Sequence, residues 1–256
     1  IGTMLYAGDV PLGVCYDEIN RSQPNLVRSI HEEYVAAGAE FLETNTFGAN
    51  RFSLATHNLE HHVEEINRSG VELARQAAGD LAYVAGAVGP AWGMLHQELS
   101  QEDYAQAYTE QITALAAAHP DAIILETFLK LQDLLMALEA CRSICDLPVI
   151  CQLAVDQYGR TDDAFEVTDA FRQLRGRGAD VVGINCRSGP KGLLDALSMV
   201  PLEEGLILSA FPNAGSPVYI DGRFFYAATP EYFSGSAIRL RDQGVRLIGG
   251  CCGTTP

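Results

Sequence analysis

The run Val181-Val182-Gly183-Ile184-Asn185-Cys186 carries the reading of the fold. It is short, apolar and rich in β-branched residues, without clean polar/apolar alternation. That pattern suits a parallel strand covered on both faces. Runs of the same kind recur at Phe41–Glu43, Tyr83–Val88, Ala122–Leu125, Val149–Leu153, Leu206–Ser209 and Val245–Ile248. Thr3–Tyr6 is an eighth candidate strand. Helical stretches with readable ends lie between them. Ser22 and Pro24 open one and Gly38 closes it. Ser100 and Asp103 resemble a capping box before Tyr104–Ala118. Pro190 and Pro230 stand at first helical positions, and Gly79, Gly178 and Gly244 where helices should end.

Eight strands separated by helices predict an α/β fold, a (β/α)8 TIM barrel, and residues 1–256 read as one barrel domain. An open dinucleotide-binding sheet would need a G-x-G-x-x-G turn, and a P-loop a Walker sequence. The chain has neither. Only Cys251–Pro256 follow the last strand, too few for an eighth helix, so the barrel is expected to be truncated at both ends.

Composition narrows the partners. The 256 residues include 17 Lys+Arg against 33 Asp+Glu, a net charge of −16. Such a surface repels nucleic acid and anionic membranes. No apolar stretch reaches the roughly 18 residues of a membrane span, and no signal peptide is visible from Ile1 onward. Seven cysteines, an odd number in a chain this long, point to reduced thiols and a cytoplasmic location.

Three of those thiols form a constellation. Cys186 ends one strand run. Cys251 and Cys252 follow another in Gly249-Gly250-Cys251-Cys252-Gly253. A barrel brings the C-terminal ends of its strands to one rim, where barrel enzymes build their sites. Three thiolates on one rim suit Zn2+ and leave a fourth tetrahedral position open, as catalytic zinc sites do. The flanking glycines allow neighbouring cysteines to face one ion. A disulfide between Cys251 and Cys252 would be strained. Cys141, Cys145 and Cys151 read as core residues and Cys15 carries no assigned role. His57 and His61, in a polar run, read as a solvated helix face. Glu126, at a strand end, is a rim carboxylate.

These motifs resemble the homocysteine S-methyltransferase family over nearly the whole chain. The most specific matches are Gly183-Ile184-Asn185-Cys186 and Gly249-Gly250-Cys251-Cys252-Gly253-Thr254-Thr255-Pro256. Gly2-Thr3-Met4, Glu43-Thr44-Asn45-Thr46-Phe47, Glu126-Thr127-Phe128 and Phe211-Pro212-Asn213-Ala214-Gly215 support them. Cys15-Tyr16-Asp17-Glu18 with Gln23-Pro24 is most similar to the methionine-synthase branch, and to bacterial proteins that join this domain to a methylenetetrahydrofolate reductase domain.

The resemblance implies zinc on Cys186, Cys251 and Cys252. It implies homocysteine with its ammonium on Glu126, its carboxylate near Gly2 and Thr3, and Thr44 lining the same pocket. It implies that Asn213 touches zinc when substrate is absent. The family's Asp just before the Gly-Thr element has no counterpart in the residues from Ile1, and the tyrosine of the betaine-using enzymes aligns with Gly48. Glu43 receives no role.

The implied reaction is methyl transfer to the homocysteine thiol, forming methionine. A free alkyl thiol is mostly protonated at neutral pH, and a bound metal removes that proton. Candidate donors are methyltetrahydrofolate through cobalamin, S-methylmethionine or S-adenosylmethionine, and betaine. A folate, cobalamin or reductase domain would lie on a longer chain. Two other readings are weighed. Glu43 and Glu126 as a glycosidase pair would leave the cysteines unexplained. A non-catalytic zinc-binding barrel or homocysteine-binding module would normally close its metal with four ligands.

Overall fold

The computed structural model describes residues 1–8, 10–91, 100–221 and 223–256. The chain forms two compact units. One comprises Ile1–Leu125, Met136–Val149 and Thr255–Pro256; the other comprises Glu126–Leu135 and Ile150–Thr254.

In the first unit, β1 (Phe41–Glu43), β2 (Tyr83–Val88) and the start of β3 (Ala122–Phe128) run parallel. Phe41 stands opposite Tyr83, and Ala85 opposite Ala122. Val84, Ala85, Ala87, Val88, Ile123, Ile124 and Leu125 are all buried, as expected of strands covered on both faces. The helix Gln101–Ala117 starts at Ser100 with the expected capping box: Ser100 Oγ accepts the Asp103 N–H, and the Asp103 carboxylate accepts the Ser100 N–H.

In the second unit, β4 (Val149–Leu153), β5 (Val181–Asn185), β6 (Leu208–Phe211) and β9 (Val245–Ile248) run parallel in that order. Between β6 and β9 the chain adds an antiparallel hairpin, β7 (Val218–Ile220) with β8 (Arg223–Phe225). The hairpin was not anticipated, although Asp221-Gly222 is a strong hairpin signal.

The eighth candidate strand is corrected. Thr3–Tyr6 lies in a helix, Gly2–Ala7. A four-residue apolar run cannot by itself distinguish strand from helix. Here Leu5 is fully buried against Val10, Ile19, Val27 and Ile30, and its N–H bonds the Ile1 carbonyl at 3.0 Å. Seven parallel strands are therefore present among the described residues. His57 and His61 are also corrected: both are exposed, but His57 follows a short helix and His61 sits in a 3-10 turn, so they share no helix face.

Candidate metal centre and amino-acid site

The three cysteines converge within the second unit because three strand ends are stitched together there. Cys186 directly follows β5, and it and Arg187 both take positive φ, which turns the chain sharply off the strand. The Cys186 N–H donates to the Phe211 carbonyl at the end of β6. Beyond β6, the Asn213 N–H donates to the Ser188 carbonyl, and the Pro212 carbonyl accepts the Cys251 N–H at 2.9 Å. The Cys252 N–H donates to Asn213 Oδ1 at 3.1 Å, and the Cys252 carbonyl accepts from Ala214. Of the glycines around the pair, Gly253 alone has positive φ, at +82°, and a Cβ there would strike the Tyr226 ring.

This lattice fixes three sulfurs. Cys186 Sγ is 3.9 Å from Cys252 Sγ, which is 4.0 Å from Cys251 Sγ. A tetrahedral zinc with sulfurs at about 2.3 Å places them about 3.8 Å apart. The donor set and its spacing therefore fit zinc. Among the described residues these cysteines are the one group of three or more His, Cys, Asp and Glu so clustered. As thiols they share charge unequally. Hydrogen bonds from Cys251 and Cys252 pull Cys186 well below the ordinary thiol range, and the Asn213 amide adds to that. Donating those bonds pushes Cys251 and Cys252 up. Asn213 thus contacts both ligand loops.

Tyr226 was missed by sequence reading. Its ring covers Gly253, and burial followed by the charge of the three cysteines pushes its phenol up. Its position in Phe224-Phe225-Tyr226 gave no signal linking it to the cysteines.

Glu126 is also in this unit, buried, near the end of β3. Asn185 Nδ2 donates to its Oε2 at 3.2 Å. Asn185 was not singled out, although an amide closing an otherwise apolar strand is a legible anomaly.

The remaining candidates belong to the first unit. Thr44 follows β1 and is buried; its hydroxyl accepts the Ala87 N–H and pairs with the Thr46 hydroxyl at 2.6 Å. Gly2 and Thr3 open the first helix rather than a strand. Gly48 donates its N–H to Asp17 at 2.9 Å. Cys141 and Cys151 are buried as expected, Cys145 at the helix end is half-buried instead, and all seven cysteines are free thiols.

Parallel βα units define an α/β protein of the TIM-barrel class, and three of its thiols lie close enough together to share one metal ion. The family model described as homocysteine S-methyltransferase matches residues 1–256. The methionine synthase of Mycobacterium tuberculosis is 31% identical over 277 residues, spanning 100% of this chain and 23% of that protein. The methionine synthase of Mycobacterium leprae is 30% identical over 257 residues, 94% of this chain and 21% of that protein. The chain thus spans less than a quarter of these relatives. The metallated form of the Escherichia coli homocysteine methyltransferase MmuM shares the fold, with a TM-score of 0.83 at 24% identity, over 100% of this chain and 90% of that one. The chain belongs to the homocysteine S-methyltransferase family.

No helix among the described residues is long and apolar enough to cross a membrane.

Proposed function

We propose that residues 1–256 act as one homocysteine-binding domain that transfers a methyl group to the homocysteine thiol, with Zn2+ held by Cys186, Cys251 and Cys252. The carrying observation is the sulfur triangle, whose 3.9 and 4.0 Å edges match one tetrahedral cation. Family membership and the metallated form of MmuM support it.

Three protein sulfurs leave one position for the substrate. Zinc, when bound, replaces the proton on the substrate sulfur and keeps that sulfur nucleophilic. The chain's own residues do the rest. The Cys186 and Cys251 N–H groups, donating to the Phe211 and Pro212 carbonyls, and the Cys252 N–H, donating to the Asn213 side chain, hold the three cysteines in place before substrate arrives. Glu126, buried near the end of β3, receives the ammonium group. Asn213, against both ligand loops, keeps a second lone pair on Oδ1 for the cation when substrate is absent. In the reaction an S–CH3 bond forms, the donor–CH3 bond breaks and the thiol proton goes to solvent. The expectation that Gly2, Thr3 and Thr44 contact the same amino acid rests on the family resemblance.

The donor is methyltetrahydrofolate through cobalamin, S-methylmethionine or S-adenosylmethionine, or betaine. A folate, cobalamin or reductase domain would supply the first on a longer chain. A cytoplasmic setting suits the free thiols. The test is methionine formation from homocysteine with each donor in turn, with zinc measured on the same sample. Formation with one donor at one zinc per chain supports the reading. Tight homocysteine binding with no product from any donor would leave only a binding module.

A further inference from the structure

Asn185 is buried at the end of β5, one residue before Cys186. Its single amide makes three bonds to one short segment. Oδ1 accepts the Thr127 N–H at 2.9 Å, while Nδ2 donates to Thr127 Oγ1 at 2.7 Å and to Glu126 Oε2 at 3.2 Å. Thr127 sits at φ +63°. A β-branched residue there is a genuine outlier, costing roughly 1–3 kcal/mol, and persists only where its surroundings over-determine it. The two bonds to Thr127 are that over-determination. They also turn the carboxylate of the preceding residue toward Nδ2.

We infer that Asn185 is a positioning residue that sets where the Glu126 carboxylate stands relative to the Cys186 sulfur, and so selects thiols that carry an amino group at the matching span. This rests on the proposed homocysteine reading. Asn185 and Cys186 are consecutive, so one strand end places both the amide that aims the carboxylate and the sulfur that holds the metal. The carboxylate's aim matters because a charge-assisted hydrogen bond is strong only when well directed. A substitution at Asn185 therefore weakens recognition of the ammonium group while leaving the thiol's own binding intact.

The experiment measures binding of homocysteine and of 4-mercaptobutyrate, the same thiol acid without the amino group, to the zinc-loaded protein by calorimetry. Asn185→Ala should lose about tenfold in homocysteine affinity, less than twofold for 4-mercaptobutyrate, and keep its zinc. Added to Glu126→Gln, it should cost little more, because both act on one interaction. Thr127→Ala removes one anchor of the amide without touching the ligand strand; it should show the same selective loss, smaller in size, and serves if Asn185→Ala does not fold. Equal losses for both thiols, or full additivity with Glu126→Gln, overturns the inference. Failure of the unaltered protein to bind either thiol overturns the homocysteine reading instead.

Discussion

Cys186 Sγ and Cys252 Sγ stand 3.9 Å apart, across 66 positions of sequence. A disulfide would need about 2.05 Å. A shared tetrahedral zinc needs about 3.8 Å. Separate backbone bonds hold the two residues: Cys186 N–H to Phe211, and Cys252 N–H to the Asn213 side chain. Their spacing is thus set by the strand ends.

Replacing any one of the three cysteines by serine should therefore remove tight zinc binding and abolish methyl transfer, with the fold retained, because the strand-end bonds come from the backbone. Zinc content and circular dichroism on the same preparation check this. Full zinc stoichiometry in all three variants would sink the metal assignment.

Glu126→Gln should keep zinc and weaken homocysteine, since a neutral amide pairs poorly with an ammonium group. Losing a charge-assisted bond of this kind costs roughly ten- to hundredfold. Steady-state kinetics should place the loss in the homocysteine KM more than in the donor KM. An unchanged homocysteine KM counts against the role.

Gly183→Ala should destabilise the second unit strongly. A Cβ at Gly183 would lie 2.0 Å from Ser209 Oγ and 2.2 Å from the Ser209 carbonyl oxygen. The hydroxyl can rotate away, at the cost of its bond from Gln152, but the carbonyl belongs to a strand paired to β5. Overpacking of this kind costs roughly 1–3 kcal/mol, and more where backbone has to move. Urea unfolding measures it, and a midpoint equal to that of the unaltered chain would refute it.

Acid should destabilise the first unit partly through His31, which is 1% exposed and whose pKa burial lowers to about 3. The unfolded chain takes up this proton below about 6.5 and the folded chain does not. The stabilisation is present above 6.5 and is lost as pH falls toward 3, by up to about 1.4 kcal/mol per pH unit. Asp17 acts in the opposite sense: burial raises its carboxyl to about 6, so its contribution is present below 3.8 and is lost as pH rises through 6. Stability measured between pH 6.5 and 4 should fall less steeply in His31→Leu than in the unaltered chain. Parallel curves would remove His31 from the account.

Much of the architecture is legible in local chemistry. Ser100 and Asp103 announce a helix start because capping is settled within four residues. Pro190 and Pro230 mark first helical positions for the same reason. The apolar runs Tyr83–Val88, Ala122–Leu125, Val149–Leu153 and Val181–Ile184 become strands in which nearly every residue is buried. The reading of Thr3–Tyr6 failed because four apolar residues carry no usable period, and the burial of Leu5 against Ile19 and Val27 decided for helix.

The site divides in the same way. Sequence alone singled out the three cysteines, since Cys186 and the Cys251-Cys252 pair stand at strand ends and thiolates suit a thiophilic metal. Only the tertiary structure decided the spacing of the sulfurs, the placing of Tyr226 over Gly253, and the three bonds by which Asn185 holds Glu126 and Thr127. Residue type fixes which bonds a side chain can make. Which partner it meets, 58 or 66 positions away, depends on how strands pair and where their ends converge, and no local pattern encodes that.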